Sequence, residues 1–175
     1  YHSSLDKDGD GIDDQVDILE GAIAYVNTHP KYKSAYYAGG YPNDGYGVCT
    51  DVVAYALKVA GYDLMELVSA DIAMHADVYD IEVADKNIDF RRVKNLYVFF
   101  NLNAESLTTD IKDIKSWQGG DIVIFNNHIA IVSDRRNQDG IPYVIHHANP
   151  FQKTYEEDIL EKHDDIRGHY RWNKG

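Results

Sequence analysis

Cysteine is almost missing from this chain: Cys49 is the only one in 175 residues. A lone thiol excludes an internal disulfide, so no redox compartment can be read from bridges. It leaves two roles, a small buried hydrophobe or a nucleophile. Long apolar runs are missing too, none approaching the ~18 residues that a membrane-spanning helix needs. Basic residues are scarce, 17 Lys and Arg against 29 Asp and Glu, for a formal net charge of −12. Phosphate recognition needs clustered cations. The only dense basic spots, Arg91-Arg92 and Arg135-Arg136, are flanked by acids, so neither nucleic acid nor anionic lipid is expected as the main partner. No signal peptide, internal repeat or low-complexity linker is evident. Tyr1 is not an initiator, so a mature or trimmed chain whose leader has been removed is expected.

What is present is the composition of an ordinary globular domain, 44% apolar and 26% charged, long enough to bury a core. Residues 1–17 read as a short acidic segment and residues 18–175 as one domain. Ile18, Leu19, Ala22, Ile23 and Val26 recur at helical spacing, predicting a helix from Asp17 to about His29 that Pro30 stops. Tyr36 to Gly47 is a Gly- and Tyr-rich loop. Val52, Val53, Ala56, Leu57 and Ala60 predict a second helix over 49–60, closed by Gly61. Residues 63–117 read as helical and irregular, with helices at 64–78 and 93–100. From Gly119 the pattern turns to β-branched runs at 121–125, 128–133 and 141–147. Helices followed by an antiparallel meander predict an α+β domain, its N-terminal helices packed on an antiparallel sheet.

Cys49 stands where the Gly-rich loop ends and the second helix begins. A helix N-terminus favours a negative sulfur, and its free N–H groups can hold an oxyanion. The competing reading is a plain core cysteine, which needs neither the glycines before it nor the polar Thr50-Asp51 after it. Two histidine-bearing strands follow, one opening at His128 and one ending in His146-His147. Gln138-Asp139-Gly140 between them suits a three-residue hairpin loop with a left-handed glycine. If that loop sets Asn137 opposite Ile141, His146 shares a face with His128; a two- or four-residue loop selects His147 instead. Two core histidines are the bland alternative. A zinc site from His128, His146 and His147 is disfavoured, because adjacent strand residues point to opposite faces.

Several segments together carry a family resemblance. They are Tyr37-Ala-Gly-Gly, Gly47-Val-Cys-Thr-Asp-Val-Val53, Asn87-Ile-Asp-Phe-Arg-Arg-Val-Lys-Asn-Leu96, Trp117-Gln-Gly-Gly-Asp-Ile-Val123, His128-Ile-Ala-Ile-Val-Ser-Asp134, Val144-Ile-His146 and Gly168-His-Tyr-Arg171. Over residues 30–172 the chain resembles a bacterial domain-of-unknown-function family, number 1287, itself similar to a branch of the NlpC-type papain-like cysteine peptidases. The resemblance implies a papain-like NlpC-type fold and a Cys-His-His triad, with Cys49 as nucleophile, His128 as base and His146 as the orienting residue. It also implies that Tyr37 assists the oxyanion. The implied function is a cysteine amidase or peptidase cutting peptide or amide bonds in bacterial cell-wall peptidoglycan, acting as a monomer outside the cytoplasm or in the envelope. A catalytically silent binding module of the same fold, recognising cell-wall peptides or glycans, is the alternative. The chain departs from the commoner enzymes of that type at Thr50-Asp51, where they carry a small pair, and in the 79 residues separating Cys49 from His128.

The acidic segment has a pattern of its own. Asp6, Asp8, Asp10, Asp14 and Asp17 fall at positions 1, 3, 5, 9 and 12 of a loop with Gly11 at position 6 and the Ile12 carbonyl at position 7. That is calcium-loop spacing, carboxylates for a hard cation and a glycine for the sharp turn. With Asp at position 12, the segment resembles thrombospondin type 3 loops more than an EF-hand. A structural Ca²⁺ is expected there, and no organic cofactor. Asp89, Arg91 and Arg92 could grip a substrate carboxylate, but a structural ion-pair knot is the commoner use of such a cluster. Asp51 could cap the helix that Cys49 opens.

Overall fold

A computed structural model describes residues 1–173. Six helices and eight strands succeed one another: α1 (Asp14–Val26), β1 (Lys31–Tyr32), β2 (Tyr46–Gly47), α2 (Cys49–Val59), α3 (Leu64–Met74), α4 (Ala76–Tyr79), α5 (Lys86–Asp89), α6 (Val93–Asn103), β3 (Glu105–Ser106), β4 (Ile122–Ile124), β5 (Ile129–Arg136), β6 (Pro142–Ile145), β7 (Glu156–Glu157) and β8 (Gly168–Arg171). A 3₁₀ turn at Leu160–Lys162 precedes β8. The architecture is α+β. Six strands form one antiparallel sheet in the order β3-β8-β4-β5-β6-β7, and β1 and β2 form a small parallel pair.

β5 shows why the sheet reads as continuous apolar runs: both of its faces are covered. Ile129 and Ile131 face a core shared with Ile18, Val52, Val53, Leu57, Leu96 and Phe100 of the helices. Ala130 and Val132 face a second cluster with Trp117, Val123, Phe125, Val144 and Leu160. The two N-terminal helices pack closely because Gly21 on α1 has no side chain, and a Cβ there would meet Val59 and the Ala56 backbone of α2.

α1 begins at Asp14, three residues before the predicted start, because the Asp13 side chain accepts from the N–H groups of Gln15 and Val16 and caps it. The last four residues of the acidic segment are thus the first turn of a helix. The hairpin loop forms as expected, with Gly140 at φ +82° and the Asn137 N–H donating to Ile141 (2.9 Å). A bulge then shifts the register: Arg136 faces Pro142, but Val132 faces Val144 and Ile131 faces Ile145. β5 spends two more residues than β6 over that interval, so the parity of the faces survives.

β8 was not visible as a strand. Gly168-His-Tyr-Arg171 has no apolar alternation, yet all four residues are buried between β3 and β4. The reason is Asp121, fully buried. Its carboxylate takes His169 Nε2 (2.8 Å), Arg171 Nε and Nη2 (both 2.8 Å), Gln15 Nε2 (2.9 Å) and the Gln118 N–H (2.9 Å). Partners of this quality let charged residues enter a core that would otherwise exclude them. Trp117 stacks on His169 at 3.8 Å and seals the group.

Candidate functional site

Cys49 is the first residue of α2, and its position is fixed from both sides. Upstream, Gly47 leaves room for the Tyr25 hydroxyl, which a Cβ there would displace. Downstream, the Asp51 carboxylate accepts the Val48 N–H (2.8 Å), closing the helix start. Asp51 also holds Arg91 in a bidentate pair, Nε to Oδ1 and Nη2 to Oδ2 at 3.0 Å each, with both side chains buried. Arg91 in turn donates Nη1 to Ala35 O (2.6 Å), and Thr50 Oγ1 donates to Arg91 O (3.3 Å). The Asp51–Arg91 pair therefore belongs to the scaffold of the helix start.

Cys49 as a residue is half-buried, with its sulfur turned inward against the beginning of β5. Burial pushes its pKa up to about 11; the Ile129 N–H opposes that rise, the Asp51 charge adds to it, and the Thr50 and Cys49 N–H groups oppose it. Ile129 follows His128 directly, so the thiol lies where the first predicted histidine enters the sheet. N–H groups in the first turn of a helix have no partner four residues back, which leaves those of Cys49 and Thr50 for the sulfur or for a negative oxygen beside it.

The histidines form a relay. His128 Nε2 and His146 Nδ1 are 2.7 Å apart, and His146 Nε2 lies 2.9 Å from Glu157 Oε1 on β7. The protons in this chain can be assigned from its end. A carboxylate can only accept, so His146 carries its proton on Nε2 and presents a bare Nδ1. His128 must then donate from Nε2, which leaves its Nδ1 with a free lone pair. Burial, and then the neighbouring His146, push His128 down to about 3. Burial, followed by His163 and His147, pushes His146 down to about 4. Both rings are neutral at physiological pH. Phe125 stacks beside His128 at 5.7 Å between ring centroids.

His147 takes the opposite face. Its ring meets Tyr32 edge-on at 5.2 Å and Tyr155 at 5.2 Å, and its Nδ1 is buried without a partner. Tyr37 is turned elsewhere: its hydroxyl donates to Asp44 (2.9 Å) and Arg91 sits 5.2 Å over its ring. The tyrosine beside the sulfur is Tyr32, whose pKa is raised first by burial and then by the charge Cys49 would carry. Sequence reasoning missed it because a two-residue strand, Lys31-Tyr32, gives no periodicity. Glu157 was missed for the same reason. Its only trace is the acidic pair Glu156-Glu157 in a segment that returns along the histidine-bearing strand, where Val144 pairs with Glu157.

At the N-terminus, Asp6, Asp8 and Asp10 bring carboxylate oxygens within 4.8 Å of one another. Ile12 is exposed in the same loop. Asp14 and Asp17 are buried in the first turn of α1. No helix of the described residues is long and apolar enough to cross a membrane.

Helices on a six-stranded antiparallel sheet, with a thiol at a helix start and a histidine pair closed by a carboxylate, define an α+β domain with a candidate thiol site. The chain belongs to the family described as Domain of unknown function (DUF1287), whose model matches residues 19–172. It is similar to the uncharacterized protein YijF of Escherichia coli strain K12, 37% identical over 168 residues that span 89% of this chain and 80% of YijF. No solved structure matches.

Proposed function

We propose that this domain is a papain-like cysteine hydrolase of the NlpC type that cleaves amide bonds. The single observation that carries the reading is the His128–His146–Glu157 relay on strands against which the Cys49 helix packs. The relay holds the His128 proton on Nε2 and leaves Nδ1 bare, which is the state a general base needs. As the sulfur attacks the substrate carbonyl carbon, its proton passes to His128 Nδ1, so positive charge appears on the ring only while negative charge grows beside it. His146 and Glu157 stabilise that cation through the relay. The oxyanion forms beside the Cys49 N–H, with Tyr32 as the nearby hydroxyl. His128 then returns the proton to the leaving nitrogen, the C–N bond breaks, and a thioester remains. Water, deprotonated by His128, releases the acid and restores the thiol.

The resemblance of the motifs supplies the substrate class, peptide or amide bonds of bacterial cell-wall peptidoglycan, and with it action outside the cytoplasm. One observation favours a second reading, a silent module that binds the same peptides or glycans: burial holds the Cys49 thiol protonated at rest. Incubating wild type and Cys49→Ala with purified muropeptides, and reading products by mass, separates the two. New amide-cleavage products from wild type alone support the hydrolase. Intact muropeptides that co-elute with both proteins would replace it with the binding module.

A further inference from the structure

The acidic N-terminal loop is not used by the thiol site, and one residue in it is hard to account for without a ligand. Asp17 is 3% exposed, and its Oδ2 is sealed from solvent with no hydrogen-bond partner. A buried carboxylate without a donor is costly and rarely kept without a reason. The charges that act on it are those of Asp10, Asp8, Asp14 and Asp6. Three of these, Asp6, Asp8 and Asp10, bring their carboxylate oxygens within 4.8 Å of one another. Lys7, in the same loop, holds its ammonium 5.9 Å over the Tyr62 ring.

We propose that Asp6, Asp8, Asp10 and Asp17, with the carbonyl of Ile12, form a calcium site that clamps the N-terminal loop to the core. Four carboxylates and a carbonyl are oxygen ligands, which suit a hard cation and leave nothing for zinc or copper. Magnesium keeps much of its water and octahedral geometry, and so gains less from a cage of this many carboxylates. Of the six positions singled out by the spacing, Asp14 has a different task. Its Oδ2 accepts the Tyr62 hydroxyl (2.5 Å) and its Oδ1 the Lys7 N–H (2.7 Å). Asp14 is the strut that ties the loop to the chain just beyond α2. Gly61, at the end of that helix, has φ +86°, and a Cβ on it would press on Lys7 and Asp8 at 3.2 Å. The loop thus sits on the opposite end of α2 from Cys49, about 16 Å away at 1.5 Å per residue. Bound calcium braces the N-terminus and takes no part in the chemistry.

Calorimetric titration of the chelator-stripped full chain with calcium chloride tests the site without reference to Cys49. One ion per chain is expected, with a Kd of about 10⁻⁴–10⁻³ M, as in extracellular calcium modules. At 10 mM calcium the Tm should rise by roughly 5–10 °C, and by less with magnesium chloride. Asp17→Asn should abolish uptake. If that variant does not fold, exposed Asp10→Ala should do the same. Asp14→Asn should still take one ion while melting earlier without calcium. No heat and no Tm shift at 10 mM calcium would overturn the site, as would wild-type uptake by the folded Asp17→Asn or Asp10→Ala chain. Loss of uptake in Asp14→Asn would overturn the division between ligands and strut.

Discussion

Alkylation of Cys49 across pH reports directly on how burial sets the resting thiol. The pKa rises from 9.0 to about 11, so below pH 9 the thiolate fraction is about a hundredfold smaller than for a free cysteine. A more basic sulfur is also a better nucleophile, with a Brønsted slope of about 0.4–0.5, which returns roughly eightfold. The two effects leave iodoacetamide labelling about tenfold slower than for an exposed thiol at pH 7, before any loss from restricted access. The rate should climb about tenfold per pH unit with no plateau until roughly pH 10. His128→Ala should change it little, because a neutral imidazole leaves no charge to stabilise a resting thiolate. Peptide mass spectrometry of the Cys49 fragment measures the rate. A plateau between pH 5 and 9 that His128→Ala removes would show a preformed thiolate–imidazolium pair and refute the argument from burial.

Acid should destabilise the fold in a defined window. The folded pKa values of His128 and His146 are about 3 and about 4 against 6.5. The unfolded chain therefore binds protons that the folded one refuses: stability is intact above pH 6.5 and is lost as pH falls towards 4. Near pH 5 this amounts to roughly 2 kcal/mol per pH unit for the pair. Asp17, raised to about 6, opposes part of it. His146→Leu should flatten the urea-derived slope by about 1 kcal/mol per unit, and an unchanged slope would contradict the assignment. Tyr32→Phe should lower kcat on a cleaved muropeptide by about 10–100-fold if its hydroxyl serves the oxyanion, while Tyr37→Phe leaves kcat near wild type. The reverse order would return the role to Tyr37. Glu157→Gln offers His146 a donor as well as an acceptor, so the relay loses its proton order. Because Glu157 is 36% exposed, the loss in kcat/KM should be only about tenfold, and no loss at all would detach Glu157 from the mechanism.

The large elements were legible because periodicity and punctuation agree in them. Val52, Val53, Ala56 and Leu57 mark one face of α2 and Gly61 marks its end, and the structure has a helix over Cys49–Val59. The faces of β5 and β6 followed from the Gln138-Asp139-Gly140 loop even though the register did not, because a bulge that spends two extra residues preserves parity. What failed to show were contributions from elements too short or too polar to carry a pattern. Tyr32 and Glu157 stand on two-residue strands. His169 and Arg171 are core residues only because Asp121, 48 and 50 residues upstream, satisfies them. The Asp51–Arg91 pair spans 40 residues, a distance over which sequence spacing says nothing about contact.

The placement of β8 has a consequence for how the chain is made. The sheet's interior position between β3 and β4 belongs to residues 168–171, near the far end of the described chain. Until they leave the ribosome, β3 has no partner, β4 has only β5, and the Asp121 carboxylate waits in a half-built core. Contacts of such long sequence separation close slowly, and the unpaired edges of β3 and β4 stay open to other chains in the meantime. Closure of this sheet therefore waits for residues 168–171, and a nascent chain cut short before Gly168 exposes an adhesive edge instead of a smaller working domain.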